Sequence, residues 1–312
     1  GLGFIGSPIA TSAARLVMVA ALAAYVKLMP APPPPPGVDP PAFRGDGRGS
    51  RTVLHSGELC RFVRLGLSGG VMMALEACMF EVMTIFAGHV NNIALDAHNT
   101  LLVIAGFFFL SFPLGISIAA TIRVGNLIGA GEARRAHRAA RIAITAGGGF
   151  MASCGLLIYC ARYELGRIFS TAPTVITLTA HLAPICALFS VWDGLQGVLG
   201  GVFRGLGRQG MIAKMNLFSF WVVGVPLGYV LCFKAGLGVF GLWWALAIGL
   251  GVLSLIYVFV WCRVDWDEEV AKVVRAREAE GQGLQQGPGL GDALLAKGGG
   301  GKHAPPVDYH SI

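Results

Sequence analysis

Apolar residues run along this chain in long unbroken blocks, not in the alternation of a half-buried strand or the one-sided stripe of a surface helix. Windows of about 20 residues pick out seven such blocks, over roughly 4–26, 63–89, 99–122, 139–160, 176–202, 212–233 and 239–262. A block of that length spans the ~30 Å hydrocarbon core at a rise of 1.5 Å per residue. Because lipid offers no partner to an exposed amide, each block must satisfy its own backbone and is predicted to be an α-helix. The expected fold is therefore an all-α polytopic membrane protein with seven transmembrane helices.

Between the first two blocks lies PAPPPPPGVDPPAFRGDGRGSR, where prolines enforce extended backbone and glycines prevent a packed core. It reads as a linker, and its PxxP spacing is incidental to that role. After the seventh block, DWDEEVAKVVRAREAE alternates charge with small apolar residues and predicts a short helix on the membrane surface. The remaining tail is a low-complexity stretch rich in glycine, expected to be disordered.

Composition agrees with this pattern: 54% of residues are hydrophobic and 13% charged, and the mean hydropathy is +0.66. The formal charge of +7 would suit a nucleic-acid partner, but Lys and Arg cluster at the block ends without interleaved stacking aromatics, so nucleic acid is not expected. They set topology instead. Arg44, Arg48, Arg51, Arg61 and Arg64 follow the first span, Arg134, Arg135, Arg138 and Arg141 the third, Arg204, Arg208 and Lys214 the fifth, and Arg263 the seventh. The alternate connections carry few basic residues, which places the C-terminus in the cytosol. The seven cysteines form no CxxC pair and read as small core residues, with neither a disulfide framework nor a zinc site. The chain begins at Gly1 without a basic, cleavable leader, so it is expected to start in mid-protein.

Ionisable residues inside the blocks carry the candidate chemistry. Glu76 and Glu81 sit within Leu67–Val90, Asp193 within the fifth span and Arg15 within the first. A charge at membrane depth costs roughly 2.5–3.5 kcal/mol on insertion scales, so such residues face a cavity or a partner. Counted from Arg64, Glu76 lies about 18 Å up a rising helix; counted back from Arg204, Asp193 lies about 16 Å from the same edge. Matched depth makes them candidates for one site, because two carboxyls that share a site ionise together only at a cost and a proton then competes with a cation for it. The bland reading is an interhelical hydrogen bond worth about 0.6–2 kcal/mol. Glu81 is about 25 Å from the edge and turned about 140° from Glu76, on another flank. Arg15 either counters a carboxylate or snorkels to one face.

Gln196, beside Asp193, and Asn99, at the start of the third span, are possible supporting polar groups. His89, His98 and Asn99 lie near the ends of spans two and three, where they read as boundary residues or as a pH-sensing pair. Gly197, Gly201 and Gly205 repeat at GxxxG spacing, a signal for close helix packing, and Pro113, Pro184 and Pro226 mark helices able to bend. GLGFIG at the start of the first span is echoed by GLGVFG before the seventh, as in a duplicated bundle whose spans one and seven are equivalent. No Walker motif, metal-ligand cluster or Ser/His/Asp set appears, so neither an enzyme nor a cofactor is expected.

The stretches GLGFIGSPIATS, LEACMFE, FPLGISIAATIRVGNLIGAG with ARRAHRAAR, WDGLQGVLGGVFRGLGRQ, NLFSFWVVGVPLGY and RVDWDEEV occur in an order that resembles the C-terminal half of a multidrug and toxic compound extrusion (MATE) transporter of the eukaryotic, plant-like kind. The resemblance covers about residues 1–27 and 60–270. It implies two six-helix lobes around a central cavity, with 1–27 as the last helix of the N-lobe, 28–60 as a cytosolic Pro/Gly-rich linker, 61–264 as the six-helix C-lobe and 265–312 as a cytosolic tail. It further implies export of organic cations, xenobiotics or secondary metabolites in exchange for H⁺, with Na⁺ as the alternative coupling ion, from a multi-pass position in the plasma or vacuolar membrane.

Family acidic positions on the seventh and tenth helices match Glu76 and Asp193, and a second eukaryotic glutamate matches Glu81. The implied partners are the small organic substrate, the lipid bilayer and the N-lobe helices that precede this sequence. One departure is Leu67, Ser68, Gly69, where the family carries proline. The other readings are a half-transporter inactive by itself and a lipid-linked flippase of the same superfamily.

Overall fold

The computed structural model describes residues 3–28 and 56–275, and among these there are helices and turns but no strand. The proline-rich linker and the low-complexity tail lie outside the described residues. One compact unit, Gly1–Val63, contains α1, Gly3–Leu28, an exposed helix with an apolar stretch at Ile9–Tyr25.

The second unit runs from Arg64. Its elements are α2 (Ser56–Val90, entering from the first unit), α3 (Asn92–Ser111), α4 (Pro113–Gly129), α5 (Ala133–Cys160), α6 (Arg162–Phe169), α7 (Pro173–Gly205), α8 (Gln209–Asn216), α9 (Val225–Tyr229), α10 (Val239–Cys262) and α11 (266–275). Two π-helical segments, Leu217–Gly224 and Val230–Lys234, flank α9.

Six segments among the described residues are long and apolar enough to cross a membrane, against the seven expected: Gly69–Val90, Asn92–Gly129, Ala133–Cys160, Pro173–Gly205, Gln209–Lys234 and Val239–Cys262. The first expected span is represented by the shorter stretch in α1. These segments make the chain an integral, multi-pass membrane protein.

The core sits around α7, which packs against α3, α4, α5, α6 and α10. Small residues make this possible: Gly194, Gly197, Gly200 and Gly201 are all buried on it. Outward faces carry exposed Phe107, Ile142, Leu156, Leu255 and Phe259, as lipid contact requires.

The expected third span differs from its predicted form. Asn91 caps α3, its Oδ1 accepting the Ala94 N–H at 2.7 Å, so the helix begins at Asn92 and not near 99. Phe112, at φ −138° and ψ −49°, breaks the path, and Pro113 restarts it at the first position of α4, where its missing N–H costs nothing. Pro184 lies inside α7, and Pro226 opens α9 between the two π-helical segments, a register change that absorbs the lost amide. Gly236 and Gly238, at φ +71° and +55°, turn the chain into α10.

All seven cysteines are free, but only Cys154, Cys186 and Cys232 are buried; Cys60, Cys78, Cys160 and Cys262 are exposed, which corrects their reading as core residues. They lie on outward helix faces, where an apolar thiol suits lipid as well as it suits a protein interior.

The acidic helix after the last span is held by the protein and does not merely lie on a membrane surface. Asp265 accepts the N–H groups of Asp267 and Glu268, Trp266 is buried and stacks on His137 at 5.1 Å, and Glu269 accepts from Arg208 at 2.7 Å and Lys272 at 2.8 Å. Burial works to raise the Glu269 carboxyl, yet the hydrogen bonds from Arg208 and Lys272 prevail and hold it below the usual glutamate range.

A carboxyl whose folded-state pKa is lowered stabilises above its unfolded value, and that contribution disappears as pH falls through the lowered one. Glu269→Gln is accordingly expected to loosen α11 by about 1.5–3 kcal/mol at neutral pH. Hydrogen exchange over 266–275 should accelerate in the variant, and the difference from the parent should close in acid. Equal protection at neutral pH would show that the ion pair does not hold the helix.

Candidate functional site

Asp193, Gln196, Gly200 and Arg204 follow one another on α7 at helical spacing and share a face. Asp193 is 8% exposed and Gln196 5%, so both are withdrawn from solvent and lipid. Across from them stands Glu76 of α2, half-buried. Its carboxyl faces the Gln196 amide and lies within the electrostatic reach of Asp193, Arg204 and Tyr257. The structure thus brings together the two carboxyls that the sequence placed at equal depth.

Several contacts hold α2 in this register. Trp221 Nε1 donates to the Leu75 carbonyl at 3.1 Å, immediately beside Glu76, and Phe80 meets Phe189 edge-on at 6.1 Å. Met79, Met83 and Ala87 are buried on the same face. Glu81, five residues beyond Glu76, falls on the exposed flank and does not join the group.

Arg204 was expected only as a marker of the membrane edge. It is half-buried and turns inward, its Nη2 donating to Ser117 Oγ at 2.8 Å, while Ser117 donates to the Gly197 carbonyl at 2.6 Å. Behind it, the fully buried Tyr257 donates to Asn216 Oδ1 at 2.7 Å. The signal for Arg204 was present: eleven residues from Asp193 is three helical turns, which returns to the same face.

The charge count says what such a group can do. Glu76 lies within electrostatic reach of both the Arg204 guanidinium and Asp193, so Arg204 offsets one negative charge of the group and the second carboxylate needs a proton or a cation. Gln196 Oε1, on the residue whose amide faces Glu76, is buried with no hydrogen-bond partner among the described residues. A protonated carboxyl or a bound cation would satisfy it. Among the described residues no cluster of three or more His, Cys, Asp or Glu side chains could hold a metal ion.

The remaining candidates lie elsewhere. Arg15 is exposed on α1, in the first unit. Asn99 is exposed and lines a separate cavity with Asp96. His98 is no boundary residue, because α3 starts six residues earlier; it is completely buried, edge-on to Trp243 at 5.7 Å with Nε2 3.4 Å from Thr84 Oγ1. His89 stays exposed, its Nδ1 2.9 Å from the Ile85 carbonyl.

Comparison with known proteins gives a consistent picture. The MatE family profile matches residues 70–230, about half of the chain. Protein DETOXIFICATION 36 of Arabidopsis thaliana is 32% identical over 88% of this chain and 52% of its own length. A probable multidrug resistance protein NorM of Rhodopseudomonas palustris is 36% identical over 74% of this chain and 48% of its own. The crystal structure of the eukaryotic MATE transporter AtDTX14 superposes with a TM-score of 0.65 at 27% identity, covering 70% of this chain and 49% of that one. This chain therefore spans about half the length of the relatives it matches.

Proposed function

The chain belongs to the MatE family, and from that premise we propose that it supplies the C-lobe of a secondary antiporter exporting organic cations, xenobiotics or secondary metabolites in exchange for protons. The observation that carries this reading is the grouping of the half-buried Glu76 and Arg204 with the buried Asp193 and Gln196. With one negative charge left over, the group takes either a proton or a cationic species, and this competition couples the two. Protons arriving from the outer or lumenal side displace the bound cation, and release toward the cytosol restores the site. The lipid bilayer and the first lobe's helices are the partners. The basic ends of the spans support a cytosolic C-terminus, in a plasma or vacuolar membrane.

Because this chain covers about half of its relatives, the activity is assigned to the complete two-lobed protein and is tested there. Reconstituted in vesicles, it is expected to export an organic cation when a pH gradient is imposed and to stop when that gradient is collapsed. Export that follows a sodium gradient alone would replace the proton by Na⁺. Export under neither gradient would overturn the antiport reading.

A further inference from the structure

At the end of α7 opposite Arg204, a cavity opens between the start of α3 and the junction of α6 with α7. Its volume is about 350 Å³, enough for a small organic molecule, and Asp96, Asn99, Thr100, Val103, Phe169, Ser170 and Val175 line it. Val175 is eighteen residues from Asp193 on α7, about 27 Å along the axis, so this cavity is separate from the buried group.

Asp96, Asn99, Thr100 and Val103 stand at i, i+3, i+4 and i+7 on α3 and share one face. Of the polar side chains, Ser170 Oγ accepts the Ala172 N–H at 3.2 Å, whereas among the described residues Asp96 has no ion pair and no hydrogen bond, and the amide of Asn99 and the hydroxyl of Thr100 have no partner. Thr100 contrasts with Thr84, Thr121, Thr145 and Thr177, each of which bonds the carbonyl four residues back.

The basic residues of neighbouring α6 are occupied. Arg167 is paired with Glu164 at 2.7 Å, and Arg162 lies over the Tyr159 and Tyr163 rings. The C-terminus of α6 and the N-terminus of α7 meet here with opposed dipoles, which leaves Asp96 as the charge that decides the sign.

We propose that this cavity binds a protonated amine carrying a small apolar body. The side chains of Asp96, Asn99 and Thr100 each offer an acceptor oxygen, matching the three N–H donors of a primary ammonium, whereas Phe169, Val103 and Val175 cover the apolar part. A quaternary ammonium lacks the donors, and an inorganic cation leaves the apolar wall unused. The site is a matter of binding at one end of the bundle and stands whether or not export is driven by protons.

The test is photolabelling of the full-length protein in lipid nanodiscs at neutral pH with 2-(4-azidophenyl)ethylamine, followed by mass-spectrometric mapping of the adducts. Labelling is expected within 96–103 and 169–175, with protection by phenethylamine that phenyltrimethylammonium or sodium chloride does not match. Asp96→Asn should lower it about tenfold or more at those segments, the effect of removing the charged partner of a hydrogen bond. Thr100→Val and Phe169→Ala should each lower it less. Asp96 is exposed on a helix, so its amide leaves packing untouched, and adducts elsewhere in the chain serve as the internal standard. Absence of adducts in both segments, unchanged labelling in Asp96→Asn, or protection by sodium chloride equal to that by the amine would each overturn the proposal.

Discussion

Glu76→Gln and Asp193→Asn are each expected to cut gradient-driven export by the full-length protein by at least about tenfold, with the amount of folded protein in the membrane unchanged. Both substitutions keep the shape of the side chain and remove its negative charge together with its ability to exchange a proton. Arg204 makes the two effects interdependent. With either carboxyl gone, the charges of the group sum to zero against Arg204, and the leftover negative charge that selects a proton or a cation no longer exists.

The double variant should therefore be no worse than the worse single one, the non-additivity of residues that act as a unit. The pH dependence of export should flatten along with its rate. A merely structural pair would behave otherwise: stability would fall, and surviving protein would export with the parental pH profile. Parental export rates in both single variants would sink the assignment outright.

Much of this was legible in the sequence because membrane helices are regular. At 1.5 Å per residue the distance from a basic boundary fixes depth, which is why Glu76 and Asp193 could be matched across more than a hundred residues of chain. The same regularity placed Glu81 on another flank, and it is exposed there. Departures from regularity were not legible. The break at Phe112 and the π-helical segments around Pro226 depend on which backbone groups the neighbours satisfy, and a proline in the sequence marks a place where this can happen without saying how.

Arg204 was misread for a related reason. A long side chain at a membrane edge can reach outward to headgroups or inward to a partner, and only the position of Ser117, eighty-seven residues away, decides between them. Asn91 was a missed signal of the ordinary kind, a capping residue directly before an apolar helix.

Gly201→Leu is expected to prevent recovery of folded protein, and Gly201→Ala to cost about 2–5 kcal/mol, the sum of an overpacking strain and interhelical hydrogen bonds. A β-carbon at Gly201 would run into the Ser117 carbonyl oxygen, and one at Gly205 would come within 2.7 Å of the Thr121 carbonyl oxygen. These are backbone atoms of α4 and cannot swing aside like the tip of a side chain. The close approach is also what lets Ser117 Oγ donate to the Gly197 carbonyl and Thr121 Oγ1 to the Gly201 carbonyl, at 2.6 and 2.9 Å.

Separating α4 from α7 breaks both bonds and withdraws Ser117 from Arg204, so a packing change some distance from the carboxyls should also weaken export in whatever Gly201→Ala protein survives. Gly148→Ala is the matched control. A β-carbon there meets nothing within 4 Å, and replacing a helical glycine should stabilise by up to about 1 kcal/mol. Thermal unfolding of the two alanine variants in detergent separates the cases: equal midpoints would mean that the GxxxG face is not what joins these helices, and the inward position of Arg204 would need another cause.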